Sequence, residues 1–226
     1  MKTILISGGS EGLGRAMAEK FAKKYKVIIL CRDEKKTSEV AKEIGCDHVI
    51  GDVSDYKTLE KAVAGVIGKY KTIDYLINNA GILVEGSIEN NTPEDIQRVM
   101  NVNTVGTMFL TKAVLPFMKK EKKGRIINVI SQAGLTATSE RVVYNTSKWA
   151  ITGFTKSLTM DCKPFGISVV GFFPGLIKTA FWKKQNSKRD LTSGMEPEEV
   201  ARAMEFILET PEHLAIPELG IKPAWS

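Results

Sequence analysis

Short apolar runs alternate with longer amphipathic stretches along the whole chain. The runs at 3–7 (TILIS), 27–31 (VIILC), 73–77 (IDYLI), 125–130 (RIINVI) and 168–173 (SVVGFF) are apolar without a two-residue alternation. That is the pattern of strands covered on both faces. A shorter run at 48–50 reads as a weaker strand. Apolar positions recur at helical spacing over 13–24, 34–44, 56–70, 103–120, 145–162 and 196–209. Strand followed by helix from end to end predicts an α/β fold: a Rossmann-like doubly wound parallel sheet flanked by helices. No repeat, low-complexity tract or Pro/Gly linker divides the chain, so 1–226 is expected to form a single domain. The one irregular stretch is 176–195, polar and basic, with the length of a substrate-binding loop.

Composition narrows the function classes. At 226 residues, 43% hydrophobic and 26% charged, the chain can bury a core without staples and is not disordered. The net charge of +6 raises the question of nucleic acid. The lysines are scattered over several presumed helix faces without aromatic interleaving, which predicts a solvated surface and no nucleic-acid partner. Cys31, Cys46 and Cys162 form no CxxC pair, which disfavours disulfides and structural zinc and points to a reducing, cytoplasmic setting. The apolar run near the N-terminus is too short for a signal peptide or membrane span, so no membrane association is expected. The two histidines, His48 and His213, are isolated, which argues against a metal site and against a Ser-His-Asp triad at Ser131.

The first strand runs into Ser7-Gly8-Gly9-Ser10-Glu11-Gly12-Leu13-Gly14 and then a helix. Glycines there let the backbone turn tightly and approach a pyrophosphate resting on the helix N-terminus. The second strand ends in Cys31-Arg32-Asp33. A carboxylate at such a strand end binds a ribose 2′-hydroxyl, whereas a guanidinium suits a 2′-phosphate. Arg32 therefore points to NADP(H) in preference to NAD(H), with Asp33 beside it as the carboxylate that could do the other job. Glu11 opposes a nearby 2′-phosphate by charge.

Tyr144 and Lys148 lie four positions apart, one helical turn, with Ser131 at the end of the preceding predicted strand. A phenol ordinarily ionises near pH ~10. An ammonium on the same helical face is expected to favour the phenolate and lower that value. A nearby hydroxyl could hold a substrate oxygen. The set is a proton-handling site that needs neither metal nor histidine. In 176–195, Phe181 and Trp182 precede Lys183, Lys184, Lys188 and Arg189, a composition that could close over a substrate with an apolar body and an anionic tail.

Taken in order, SGGSEGLG (7–14), GDV (51–53), NNAG (78–81), NVNTVG (101–106), INVIS (127–131), YNTSK (144–148) and PGLIKT (174–179) resemble the short-chain dehydrogenase/reductase family. The resemblance implies that Gly8, Ser10, Gly12, Leu13 and Gly14 wrap the pyrophosphate and its ribose, and that Asp52 and Val53 contact the adenine. It places Asn79, Ala80 and Gly81 on the ribose side, and Pro174, Gly175, Ile177 and Thr179 against the nicotinamide. Asn103, Ser131, Tyr144 and Lys148 would be the catalytic tetrad, with Lys148 also holding ribose hydroxyls and Asn103 anchoring a water that links Lys148 to solvent. The implied function is hydride transfer between nicotinamide and a small-molecule carbonyl or secondary alcohol. The implied assembly is a homodimer or homotetramer packed through the helices at 103–120 and 145–162. Family members often end in a glycine-rich strand; this chain ends in IPELGIKPAWS, which puts any assembly contact built from that tail in doubt. The rival reading from another class is a non-catalytic NADP(H)-binding redox sensor or scaffold of the same fold.

Overall fold

A computed structural model describes residues 1–224; the last two positions of the C-terminal tail, Trp225 and Ser226, lie outside it. Its strands are β1 (Thr3–Ser7), β2 (Lys26–Cys31), β3 (Asp47–Ile50), β4 (Tyr75–Asn78), β5 (Gly124–Val129), β6 (Ile167–Pro174) and β7 (Glu218–Ile221). They form one seven-stranded parallel sheet in the order β3-β2-β1-β4-β5-β6-β7. The order reverses between β1 and β4, and ligand crevices open at the carboxyl ends of strands at such a switch point.

Apolar strands supply both cores. In β1, Ile4 and Ile6 face one way and Leu5 the other, all fully buried. Ile4 and Ile6 join Met17 and Phe21 of α1 (Gly12–Phe21), Val40 of α2 (Glu34–Ile44), and Val200 and Met204 of α8 (Pro197–Glu209). Leu5 joins Leu59 and Val63 of α3 (Tyr56–Tyr70), Leu110 and Val114 of α5 (Gly106–Glu121), and Leu158 of α6 (Val142–Cys162). Burial on both faces is why these strands lack alternation in the sequence.

Four elements depart from the expected pattern. First, α4 (Pro93–Val99) was not anticipated, although its start carries a plain signal: Thr92 accepts from the Asp95 amide at 3.1 Å and Pro93 opens the helix. Second, the helix expected over 103–120 begins differently. Met100–Val105 is a π-helical turn continuous with α4 and α5. Third, β7 is an edge strand of alternating exposure whose short, glycine-containing run hid it. Part of the predicted loop 176–195 is also helical, as α7 (Ala180–Lys184).

Candidate active site

At the carboxyl ends of the strands lies a cleft of about 690 Å³, within the range of cofactor and substrate sites. The β1–α1 loop forms its floor. Gly8 has φ +68°, a conformation side chains rarely adopt, and a Cβ on Gly14 would stand 2.1 Å from the Gly8 carbonyl oxygen. Ser7 ties this loop to the end of β4: its hydroxyl accepts from the amides of Asn79 (3.0 Å) and Ala80 (3.1 Å). The Asn79 side chain returns a bond to the Ser7 carbonyl at 3.0 Å. The bare backbone of Gly8, Gly12 and Gly14 is a cradle that side chains would fill, and it fits the pyrophosphate of a dinucleotide.

Of the sequence-predicted site residues, all line this cleft except Asn103. Gly8, Ser10, Gly12, Leu13 and Gly14 form the floor, with Arg32, Asp52 and Val53 beyond them. Asn79, Ala80, Gly81, Ser131, Tyr144 and Lys148 complete it, together with Pro174, Gly175, Ile177 and Thr179. Asn103 is buried behind the wall in the π-helical turn. Its carboxamide accepts from the Ile82 amide (2.8 Å) and donates to the Ile82 carbonyl (2.9 Å) and the Ser147 hydroxyl (3.0 Å). The side chain thus pins the Gly81–Ile82 wall to α6.

Ser131 follows β5 with φ +133°, a strained conformation for a residue with a side chain, of the kind that collects at functional sites. Its hydroxyl accepts from the Ala133 amide at 3.2 Å and pulls the Tyr144 phenol pKa downward. One turn along α6, the buried Lys148 donates to the Val129 carbonyl at 3.3 Å, and its Nζ lies 5.6 Å from the centre of the Tyr144 ring. Burial dominates both titrations. It pushes the Lys148 ammonium down to about 8. It also raises the Tyr144 phenol, against the smaller downward pulls of the Ser131 hydrogen bond and the Arg141 charge. The expectation that Lys148 makes Tyr144 acidic therefore does not hold for this protein: the phenol is held in its protonated form.

At the adenosine end, Cys31 and Arg32 line the cleft. Asp33 is spent otherwise: as the cap of α2 it accepts from the Lys36 amide at 3.0 Å. Glu11 is paired with both Lys36 and Lys184, so its charge is countered from α2 and from α7. The second of these pairs ties 176–195 to the phosphate loop. Trp182 is fixed there by donating its indole N–H to the Ile177 carbonyl at 2.9 Å. It packs edge-on against Phe181. Phe181, Trp182, Lys184 and Arg189 line the cleft, whereas Lys183 and Lys188 point to solvent.

Several lining residues were missed in the sequence: Ile82, Arg98, Gln132, Thr136, Thr138 and Arg141. Only Arg141 carried a usable signal, standing three positions before Tyr144 at the start of the same helix. Arg98 comes from the unanticipated α4, and Ile82, Gln132, Thr136 and Thr138 from connecting segments whose course no periodicity reports. Among the described residues, no group of His, Cys, Asp or Glu is placed to hold a metal, and no helix is long and apolar enough to cross a membrane.

Comparison with known proteins agrees with this geometry. The pattern of the short chain dehydrogenase family matches residues 2–190. An uncharacterised oxidoreductase of Staphylococcus saprophyticus is 29% identical over 229 residues, covering 98% of this chain and 97% of its own. Carbonyl reductase family member 4 of Xenopus laevis is 32% identical over 217 residues, covering 93% and 92%. Among solved structures, the closed form of serine dehydrogenase complexed with NADP+ superposes with a TM-score of 0.93 at 26% identity, over 99% of this chain and 96% of that one. The dinucleotide cradle, the phenol–ammonium pair and the family pattern across residues 2–190 lead to one conclusion: the chain belongs to the short-chain dehydrogenase family, as an oxidoreductase acting on CH–OH donors with NAD(P).

Proposed function

We propose that the protein is an NADP(H)-dependent carbonyl reductase or alcohol dehydrogenase in which Tyr144 handles the proton. The observation that carries this reading is the Tyr144 phenol, kept protonated by burial and lining the cleft with Ser131 and beside Lys148. Gly8–Gly14 would hold the pyrophosphate of a reduced dinucleotide and Pro174, Gly175, Ile177 and Thr179 its nicotinamide, which would supply hydride. In reduction, Tyr144 donates its proton to the carbonyl oxygen as charge grows there, and the Ser131 hydroxyl donates a supporting hydrogen bond. Lys148 holds ribose hydroxyls, and Asn103 acts by keeping the Gly81–Ile82 wall in register with α6. Oxidation is the reverse, with Tyr144 as base.

The preference for NADP(H) rests on charge. Arg32 lines the adenosine end, Asp33 is occupied as a helix cap, and Glu11 is countered by Lys36 and Lys184. A 2′-phosphate there meets the Arg32 guanidinium, with the Glu11 carboxylate already countered. We take 176–195 as the substrate loop, since it supplies Phe181, Trp182 and Arg189 to the cleft. We take the assembly to be a homodimer or homotetramer through α5 and α6, on which Met108, Trp149 and Met160 are exposed apolar side chains. A cytoplasmic setting suits the three free thiols.

The test is consumption of NADPH and of NADH with a panel of aldehydes, ketones and 3-oxo acids, read by the loss of reduced-nicotinamide absorbance. Turnover with NADPH favoured is expected. Tight NADPH binding with no turnover across the panel would replace this reading with the non-catalytic sensor.

A further inference from the structure

The substrate end of the cleft carries a charge that the proton-transfer chemistry does not use. Arg141 and Arg189 come from different elements, the start of α6 and the substrate loop, and meet at one ring. Their guanidinium carbons lie 5.2 and 5.4 Å from the centre of Trp182. Two guanidiniums against one indole is a costly way to build a structural contact, because the cations repel. A single carboxylate opposes them. Glu85 accepts from Arg141 through Nη2 (2.7 Å) and Nε (3.1 Å), both on the same oxygen. Arg189, an exposed residue that also lines the cleft, has no carboxylate within ion-pair reach among the described residues, and partial burial and the Arg141 charge both weaken its hold on its proton. Two positive charges and one negative leave an excess of one.

The surrounding wall does not absorb that excess. Gln132, Thr136, Thr138, Gln185 and Ser193 are neutral, and Arg98, a further guanidinium on the cleft, is already bonded to Asp95 at 2.9 Å. Glu85 does not line the cleft. A side chain that is rigidly backed, flat and cationic is the partner a carboxylate takes in preference to water. Arg141 is fixed in this way. Its side chain is only 14% exposed, and its backbone bridges to Gly86.

We propose that Arg141 and Arg189, stacked on Trp182, form an anion subsite that selects carbonyl substrates bearing a carboxylate close to the reacting carbon. The proposal rests on the oxidoreductase reading for the word substrate, and on geometry alone for the anion. A monoanion balances the excess charge of one. Proximity follows from the helix: Arg141 stands one turn before Tyr144, and its charge reaches the Tyr144 phenol. A carboxylate on the guanidiniums with a carbonyl oxygen at the phenol leaves room for a short spacer, as in a 3-oxo acid.

Binding and turnover test it separately. The NADP+-loaded protein is titrated calorimetrically with butyrate and with butyramide, which match in shape and differ in charge. Butyrate is expected to bind about tenfold or more tightly than the amide, the scale of one charged hydrogen-bonded contact. That preference should vanish in Arg189→Gln and return in part in Arg189→Lys. Equal affinities, or a preference that survives Arg189→Gln, overturn the subsite. In parallel, the ratio of kcat/KM for acetoacetate over methyl acetoacetate should fall about tenfold in Arg189→Gln, through KM. An unchanged ratio also counts against the proposal. A butyrate preference that depends on Arg189, in a protein that reduces neither compound, upholds the anion subsite and removes the reductase reading instead.

Discussion

Lys148 Nζ sits 5.6 Å from the centre of the Tyr144 ring, over its π face, and donates to the Val129 carbonyl. The cation therefore meets the ring and the β5 backbone, and no hydrogen bond joins it to the phenol oxygen among the described residues. Burial shifts the two groups in opposite directions, the phenol up and the ammonium down.

The buried ammonium gives Lys148 a stability signature. Its pKa falls from 10.5 in the unfolded chain to about 8 in the fold. Below pH 8 both states hold the proton, and the folded state bears the whole cost of burying the charge. Between about 8 and 10.5 only the unfolded chain binds it, so folding stability rises with pH through that window. Lys148→Met should be more stable than wild type at pH 7 by up to about 3 kcal/mol, and the advantage should fade as pH approaches 10.5. Denaturant titrations at several pH values measure it. A constant difference between the two proteins would mean that the Lys148 ammonium holds its proton equally well folded and unfolded.

A raised phenol makes a directional claim about catalysis. Tyr144 stays protonated at neutral pH, which suits carbonyl reduction, while alcohol oxidation needs the phenolate and should climb with pH. The Ser131 hydrogen bond pulls the phenol down, so Ser131→Ala should move the midpoint of the oxidation profile upward. A midpoint that stays put in the variant would place another group in control of the profile.

Cofactor choice is assigned to Arg32. Arg32→Ala should weaken NADPH by about tenfold or more and NADH by much less, measured by fluorescence titration of each reduced dinucleotide. Equal losses would show that this guanidinium does not read the 2′-phosphate.

Beneath the site, Asn78 of β4 donates to Asn128 of β5 at 2.8 Å, and Asn128 donates to the Thr155 hydroxyl of α6 at 2.8 Å. All three are buried. Asn128→Ala takes a partner from both neighbours and leaves a cavity, at a cost of about 2–4 kcal/mol, seen as a lower denaturation midpoint. A loss below about 0.5 kcal/mol would show that the ladder is dispensable.

Much of this was written plainly in the chain. The apolar runs located β1, β2, β4, β5 and β6, because strands buried on both faces cannot hide their composition, while the half-exposed β3 gave only a weak signal. The Gly8–Gly14 loop and the Tyr144–Lys148 spacing were legible because backbone approach and a helical turn each impose a fixed residue pattern. Other features left no local trace. The π-helical turn at Met100–Val105 has the composition of any helix. Asn103 bonds Ile82 and Ser147, partners that depend on that turn and that spacing does not report. The direction of the Tyr144 shift was misjudged since spacing reports a charge one turn away and says nothing of desolvation. Arg141 and Arg189 meet at Trp182 only through tertiary folding, from stretches that look like ordinary basic surface.

The central claim is that the Tyr144 hydroxyl transfers the proton in this cleft. It is tested most directly by Tyr144→Phe, which deletes one oxygen and keeps the ring. NADPH turnover with the best carbonyl of the panel should fall about a thousandfold or more while the NADPH dissociation constant changes by less than about threefold. Turnover within about tenfold of wild type, with the cofactor bound as before, would contradict it.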